Sequence, residues 1–525
     1  MAQRRRASRV VLSLLPLATL LCIYLAWDHI RLKITTRLSQ SPLAVAPPTS
    51  QTPMPSQLIT NNHVKYPRRP PETLSREQAR EYIDRLNAIR RTAFSPHYKY
   101  MQVHNLENVD RLLQYLARVE AGEPLSPPRV VLSSWHFQPT CYETSSNGEV
   151  QWMRPILDLM REHDIFIIYA AFPDKTFHKD FKLIGNDLIT HTWIDDEHLI
   201  WCFQDSQNCM QSPQNPDGVP LWKMFAFTFW GSLHKSGKWL PPKTANISWS
   251  FNPLGREWSL VPYQMPEGHF FLGYNYQGCH ALDYVPFDKR PDQIVILAKK
   301  SEYFHSKLFF NPEAFYSRLR NSTDHELITN AVVDEGFPIP DGLKSLGLIP
   351  QADYDVLLAN TKALLGIGRP LISPTPYASL CRGVPVILPY RADTGCPARP
   401  GPDLYCGFDE DTHQHGPAAA LGEPYIYTVD VNAPVEVALD TILRAARTPI
   451  EPFEPEEMRL PMLRARLLDY FHIDWEAHAQ AKGTGLSTAG GPAVNSGALA
   501  LPPWLVEWSR LNPDPTLANP TQALD

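Results

Sequence analysis

The stretch Ala363–Tyr390, ALLGIGRPLISPTPYASLCRGVPVILPY, reads as one β-loop-α-β unit. Ala363–Leu365 is a buried strand, Gly366–Pro374 is a Gly/Pro loop, a short helix ends before Gly383, and Val384–Leu388 is a second apolar strand. Glycine at 366 and 368 lets the backbone turn sharply and approach a ligand closely. Ser373 or Thr375 is placed to cap the helix, and prolines at 374 and 376 suit its first turn. A helix start opposite a strand end presents N–H groups and the positive end of a dipole, which together favour a phosphate. An ordinary parallel-sheet crossover has the same pattern, so the unit decides the fold before it decides a ligand.

Strands alternate with helices on both sides of this unit. The first half of the body starts with a strand at Val130–Ser133 and a helix around Val150–His163. A strand at Ile165–Ala170 and further strands ending near Trp193–Asp195 and Leu199–Phe203 follow. The second half has a strand at Ile294–Leu297, a helix at Pro312–Arg320, a strand near Leu327–Val333 and a helix at Ala352–Asn360. After the unit come Tyr425–Val429, Val435–Ala446 and Met458–Phe471. Alternation of this kind implies parallel sheets with helices on both faces, and its repetition implies two of them, α/β throughout. Ligands of such folds sit beyond the carboxyl ends of the strands, so Lys299 and Gly366–Pro374 are expected to face one cleft.

The ends of the chain have a different character. Val10–Trp27 carries no charge and follows Arg4, Arg5, Arg6 and Arg9, which predicts a signal anchor at 10–27 behind a cytoplasmic tail at 1–9. A cleaved signal peptide is the alternative, although no small-residue cleavage site precedes Asp28. Residues 28–74 read as a flexible stem, rich between Ser39 and Pro71 in Pro, Ser, Thr and Gln. Two amphipathic stretches, Ser75–Thr92 and Asn105–Ala121, form an expected helical neck at 75–125. Residues 126–290 and 291–472 are then the two α/β domains, and 473–525 an expected mobile tail rich in Gly, Ala, Pro and Ser. Net charge is −6 with both signs mixed, which leaves no basic footprint for nucleic acid.

An anchored chain of this kind would place its body in an oxidising lumen. Asn246-Ile-Ser and Asn321-Ser-Thr are candidate glycosylation sequons there. Of the eight cysteines, Cys22 lies in the anchor segment, and the odd remainder leaves at least one thiol free or intermolecular. Cys202/Cys209 and Cys396/Cys406 are local candidates for disulfides. Cys396, Cys406, His413 and His415 imitate a zinc site but fit no common ligand spacing, so no metal is expected.

From about Gly148 to Asp469 the chain resembles the lumenal domain of the alpha-1,6-mannosylglycoprotein 6-beta-N-acetylglucosaminyltransferases, glycosyltransferase family 18, as a divergent member. The pieces occur in order: Gly148-Glu-Val-Gln-Trp152, Trp249-Ser-Phe-Asn-Pro253, Phe271-Leu-Gly-Tyr274, Ala298-Lys299, Leu346-Gly-Leu-Ile349, Gly366-Ile-Gly-Arg-Pro370, Gln414-His-Gly416, Tyr427-Thr-Val-Asp430 and Ile450-Glu-Pro452. The resemblance implies a GT-B fold, two Rossmann-like domains facing a cleft, with UDP-GlcNAc held mainly by the second. It implies a Golgi type II membrane enzyme that transfers GlcNAc to a mannose 6-hydroxyl of an N-glycan, with inversion and without a bound metal. Glu149 would be the base that takes the acceptor's proton, one residue being deleted just after it, and Trp152 in the same segment would meet the acceptor. Lys299, Gly366, Gly368, Arg369, Ser373, Pro374 and Thr375 would hold the donor. A base facing the acceptor and cations or dipoles facing the departing UDP are what an inverting displacement needs.

The donor loop departs from the family. That loop resembles G-F-P-Y-E-G-P-A-P-L-E-A, and Ile372 and Ala378 stand here at its two glutamate positions. Losing one charged hydrogen bond costs about 1.5–3 kcal/mol, or one to two decades of affinity. Arg369 replaces an aromatic residue and is a candidate phosphate contact. Three readings follow: the transferase itself, a GT-B enzyme with another donor or acceptor, and a catalytically silent protein that binds glycans or a partner enzyme.

Overall fold

The computed structural model describes residues 66–92, 99–143, 145, 147–170, 177–205, 208–212, 214–231, 252–265, 268–400 and 412–483. The expected anchor, nearly all of the stem, Asn246 and Cys406 lie outside them. Among the described residues no helix is long and apolar enough to cross a membrane.

Two six-stranded sheets, parallel throughout, form the body. The first comprises β1 (Arg129–Ser133), β2 (Ile165–Tyr169), β3 (His191–Ile194), β4 (Met224–Phe227), β5 (Ser259–Val261) and β6 (Phe270–Phe271), in the order β2-β1-β3-β4-β5-β6. The second comprises β7 (Gln293–Leu297), β8 (Glu326–Thr329), β9 (Lys344–Ser345), β10 (Ala363–Gly366), β11 (Val386–Tyr390) and β12 (Ile426–Asp430), in the order β12-β11-β10-β7-β8-β9. Counted within its own half, the second order is the doubly wound dinucleotide-binding one, with its switch point between β7 and β10. The first sheet reverses between β1 and β3, the other common doubly wound arrangement. Strands β7, β10 and β11 are near-continuous apolar runs because helices cover both faces of their sheet.

The helices in chain order are α1 (Arg76–Thr92), α2 (Lys99–Glu120), α3 (Gly148–Glu162), α4 (Phe177–Ile184), α5 (Asp196–Gln204), α6 (Pro312–Asn321), α7 (Gln351–Ala359), α8 (Thr375–Leu380), α9 (Gly416–Ala419), α10 (Val435–Arg447), α11 (Leu460–His472) and α12 (Trp475–Gly483). Helix α5 corrects the strand expected at Leu199–Phe203. Leu199, Cys202 and Phe203 are buried on one helical face, and the Leu199 N–H donates to Asp195 O at 2.9 Å, beginning a helical turn where a strand was expected. The expected neck is part of the first half. Leu86, Val109, Leu112 and Leu116 are fully buried in its core, and α2 packs on β2.

Of the expected tail, residues 473–483 are described, and they are ordered, with Trp475–Gly483 helical. Helix α11 leaves the second half and packs on α3, where Trp193 Nε1 donates to Tyr470 Oη at 3.1 Å. Trp475, fully buried on α12, donates through Nε1 to Tyr470 O at 3.1 Å. The end of the expected stem docks there too, with Tyr66 beside Trp475 and Arg68 paired to Asp469 at 2.6 Å. Burying these large aromatic faces is what holds both ends of the described part of the chain to the first half.

Cys202–Cys209 forms the expected disulfide, and Cys396 is also disulfide-bonded. Cys279–Cys381, joining positions 102 residues apart, has no counterpart in the sequence reading. Cys141 is a buried free thiol, pushed up to about 12 by burial.

Candidate functional site

A cavity of about 560 Å³ lies between the halves. The first half lines it with Glu143, Ser145, Asn147, Gly148 and Gln151. The second half lines it with Leu297, Lys299 and Asn330 at strand ends, Gln351 and Tyr354 on α7, and Ser373, Pro374, Thr375 and Ala378 at the start of α8. It therefore sits at the switch point of the second sheet, where the ends of β7 and β10 diverge.

The first wall rests on the start of α3. Asn147 caps the helix, its Oδ1 accepting from Val150 N at 3.0 Å. Arg154 reaches back from α3 and donates to the carbonyls of Cys141, Glu143 and Ser145 at 3.1, 2.6 and 2.7 Å, which ties the preceding loop to the helix. Gly148 is one of the points where the halves touch. A Cβ there would stand 2.9 Å from Pro374 Cδ and 3.2 Å from Phe229 Cζ, so a larger residue would force the walls apart. Glu149 is half-buried beside the cavity, between the lining residues Gly148 and Gln151, and is not itself part of the lining. Its charge acts on the buried hydroxyls of Tyr263 and Tyr274, which burial first, and neighbouring groups including Glu149 after it, push well up.

The second wall is fixed from behind. The Gly368 N–H donates to Gln414 Oε1 at 2.9 Å, and Gln414 Nε2 donates to Pro370 O at 2.9 Å. His415 continues the clamp, its N–H donating to Leu371 O at 2.9 Å. Its ring is fully buried, and Nδ1 accepts from Ala418 N at 3.3 Å, so the proton is on Nε2, which donates to Ser373 O at 2.7 Å. Burial pulls this imidazole down to about 4. His413 is likewise committed, its ring nitrogens lying 2.9 Å from Gln414 O and 3.4 Å from Ala398 O. These histidines are loop supports, and among the described residues no group of three or more His, Cys, Asp or Glu is placed to hold a metal.

The expected donor residues divide into two sets. Lys299, Ser373, Pro374 and Thr375 meet at the cavity. Gly366, Gly368 and Arg369 do not line it. A Cβ on Gly366 would stand 2.3 Å from Gln414 Oε1, and one on Gly368, whose φ is +89°, would stand 2.4 Å from Ser306 Oγ. The glycines thus answer to packing behind the loop. Arg369 lies over the Tyr303 ring at 6.0 Å, off the cavity wall. The helix start at α8 is also a poorer phosphate seat than its sequence suggests. Pro374 and Pro376 have no N–H, and the Thr375 N–H is taken by Ser373 Oγ at 3.2 Å.

Trp152 is a correction. It is fully buried, stacks on Phe227 with ring centroids 4.2 Å apart and donates through Nε1 to Gly273 O at 3.0 Å. It lies on the inner face of α3 with Met153 and Ile156, as a core side chain with no surface for an acceptor. Asn321, exposed at the end of α6, remains open to modification. Ile372 is buried, and Ala378 is the substituted glutamate position that lines the cavity. Sequence reasoning missed Gln351, Tyr354 and Asn330. Tyr354 lay inside, and Gln351 just before, the helix expected at Ala352–Asn360, and only the helix's orientation shows that they meet the cleft.

No protein-family model matches the chain. Human alpha-1,6-mannosylglycoprotein 6-beta-N-acetylglucosaminyltransferase A is 23% identical over 245 residues, 45% of this chain and 31% of that protein. The mouse B form is 27% identical over 166 residues, 30% of this chain and 20% of that protein. The aligned parts are thus less than a third of either relative's length. Among solved structures, the glycosyltransferase SnogD from Streptomyces nogalater covers 70% of this chain and 100% of its own, with 11% identity and a TM-score of 0.27. By sequence, the chain is a distant and divergent relative of the alpha-1,6-mannosylglycoprotein 6-beta-N-acetylglucosaminyltransferases.

Proposed function

We propose that this protein is a GT-B-type glycosyltransferase that moves GlcNAc from UDP-GlcNAc to a mannose 6-hydroxyl of an N-glycan, in the Golgi lumen behind an N-terminal anchor. The observation that carries the reading is the cavity at the β7/β10 switch point, bounded by Lys299 and the Ser373–Thr375 turn and closed by the α3 start of the other half. Distant similarity to transferases of this class supports it.

In this reading the acceptor hydroxyl attacks C1 of the donor sugar as Glu149 takes its proton. The C1–O bond to the diphosphate breaks with inversion, and the electron pair leaves on UDP. Lys299 is the one basic side chain among the described residues lining the cavity, and it is assigned to the departing diphosphate. Activity is expected to persist in EDTA. Ala378, small and without a carboxylate, favours a second reading in which the cavity binds a nucleotide or glycan without turnover.

The test is the purified full chain with a panel of UDP- and GDP-sugars, followed by nucleotide release with and without an N-glycan acceptor. Acceptor-dependent release from UDP-GlcNAc is the expected result. Release from another donor keeps the enzyme and changes its substrate, while binding without release selects the silent reading.

A further inference from the structure

Tyr354 is buried in the cavity wall, on α7, and its hydroxyl has no hydrogen-bond partner. Leaving a buried hydroxyl unpaired costs free energy, and such groups persist where something else completes them. The neighbouring side chains do not. Thr375 makes only a weak contact with the Tyr354 hydroxyl, short of a well-formed hydrogen bond, and its Oγ1 is shared with Ser373 Oγ at 2.9 Å. Gln351, one turn before Tyr354, is turned to Asp355, its Nε2 donating to Oδ1 at 3.0 Å. Asp355 is balanced by Arg382 at 3.2 Å and accepts from Tyr276 Oη at 2.7 Å. This side of the cavity is therefore neutral, with hydroxyls and an amide at the surface and a paired carboxylate behind. Burial pushes the Tyr354 hydroxyl up, so it stays protonated and can both donate and accept. The strand-end side is different, because Lys299 stands there. A phosphate gains most beside the cation, and an uncharged hydroxyl gains most against the neutral wall.

We propose that Tyr354 and Thr375 form a hydroxyl-binding subsite that takes a sugar-ring hydroxyl of the donor, while Lys299, at the strand ends of the same half, orients the diphosphate. The assignment rests on the nucleotide-sugar reading above. Ala378, lining the cavity beside them, leaves the space a ring needs to approach. The ring is either the nucleotide's ribose or the transferred hexose, since both present vicinal hydroxyls.

The experiment is calorimetric titration of the full chain and its Tyr354→Phe and Thr375→Val variants with UDP, 2′,3′-dideoxy-UDP and UDP-GlcNAc. Melting of each protein is followed in parallel. One neutral hydrogen bond corresponds to an affinity loss of about tenfold. If Tyr354→Phe weakens UDP by that factor and binds dideoxy-UDP as the wild type does, the ribose is the occupant. If UDP is unaffected and UDP-GlcNAc alone weakens, the hexose is. Either result requires Tyr354→Phe to melt no lower than wild type, because it removes an unpaired group. Equal affinities for every ligand in wild type and both variants overturn the subsite and leave the nucleotide-sugar reading standing. A lowered melting temperature with unchanged affinities assigns the hydroxyl to the fold and also overturns it. A wild type that binds none of the three overturns the subsite together with the reading beneath it.

Discussion

The two walls of the cavity are built differently. The second half supplies a wall held from behind by buried groups: Gln414 and His415 bond to Gly368, Pro370, Leu371 and Ser373. The first half supplies a wall held by Arg154, which gathers three loop carbonyls, and by the Gly148–Pro374 contact. The contrast separates fixing a ligand from acting on it. A wall held from behind suits a ligand whose position must be exact, and Glu149, proposed above as the base, stands beside the other wall without lining the cavity.

That division breaks first at Glu149. Glu149→Gln should lower kcat by about 10²–10⁴-fold, the range for loss of a general base, with nucleotide affinity unchanged. Steady-state turnover beside calorimetry measures both, and a variant with wild-type kcat removes Glu149 from the role.

His415 tests the other wall. His415→Phe leaves the Ser373 carbonyl without its partner, while the Ala418 N–H keeps its bond to His415 O at 3.0 Å, and should cost about 1–3 kcal/mol in urea denaturation. The wild type carries a matching pH dependence. The folded protein holds this imidazole down to about 4, whereas the unfolded chain binds the proton near the ordinary value of 6.5. Its contribution is complete above pH 6.5 and is lost as pH falls towards 4, a change of about 3 kcal/mol. Urea midpoints between pH 7 and 4 should fall less steeply in His415→Phe than in wild type; parallel curves would locate the acid sensitivity elsewhere.

Lys299→Met should weaken donor binding by one to two decades, about 1.5–3 kcal/mol, while leaving the melting temperature near wild type because the side chain is exposed. The smallest effect is expected at Arg369. Lying off the cavity wall, Arg369→Ala should change donor affinity less than about threefold, or about 0.6 kcal/mol. A tenfold loss there would mean that the loop turns towards the ligand on binding, and would erase the distinction between its front and its back.

Much of the fold was legible from local pattern. The alternation of apolar runs with helical stretches located β1, β2, β3, β7, β8, β10, β11 and β12, because a strand covered on both faces is apolar along its length. The strands β4, β5, β6 and β9 were missed; β5, β6 and β9 have only two or three residues, which carry too little period to distinguish them from loop. Leu199–Phe203 was misread because a buried apolar run has the same composition in a strand and in a helix.

The site was legible only in part. Lys299 and Ser373–Thr375 could be placed because the end of a parallel strand and the loop after it have one destination, the carboxyl edge of the sheet. Which glycines face a ligand, whether Trp152 is surface or core, and whether a tyrosine in α7 meets the cleft depend on how elements roll against each other. Sequence by itself determined two parallel α/β halves and the strand-end loops between which a ligand would sit. Only tertiary structure decided that Gln414 and His415 hold the loop, that both ends of the described chain close the first half, and that Tyr354 faces the cavity. Local sequence governs backbone hydrogen bonding within each element, whereas those outcomes follow from packing between residues tens to hundreds of positions apart.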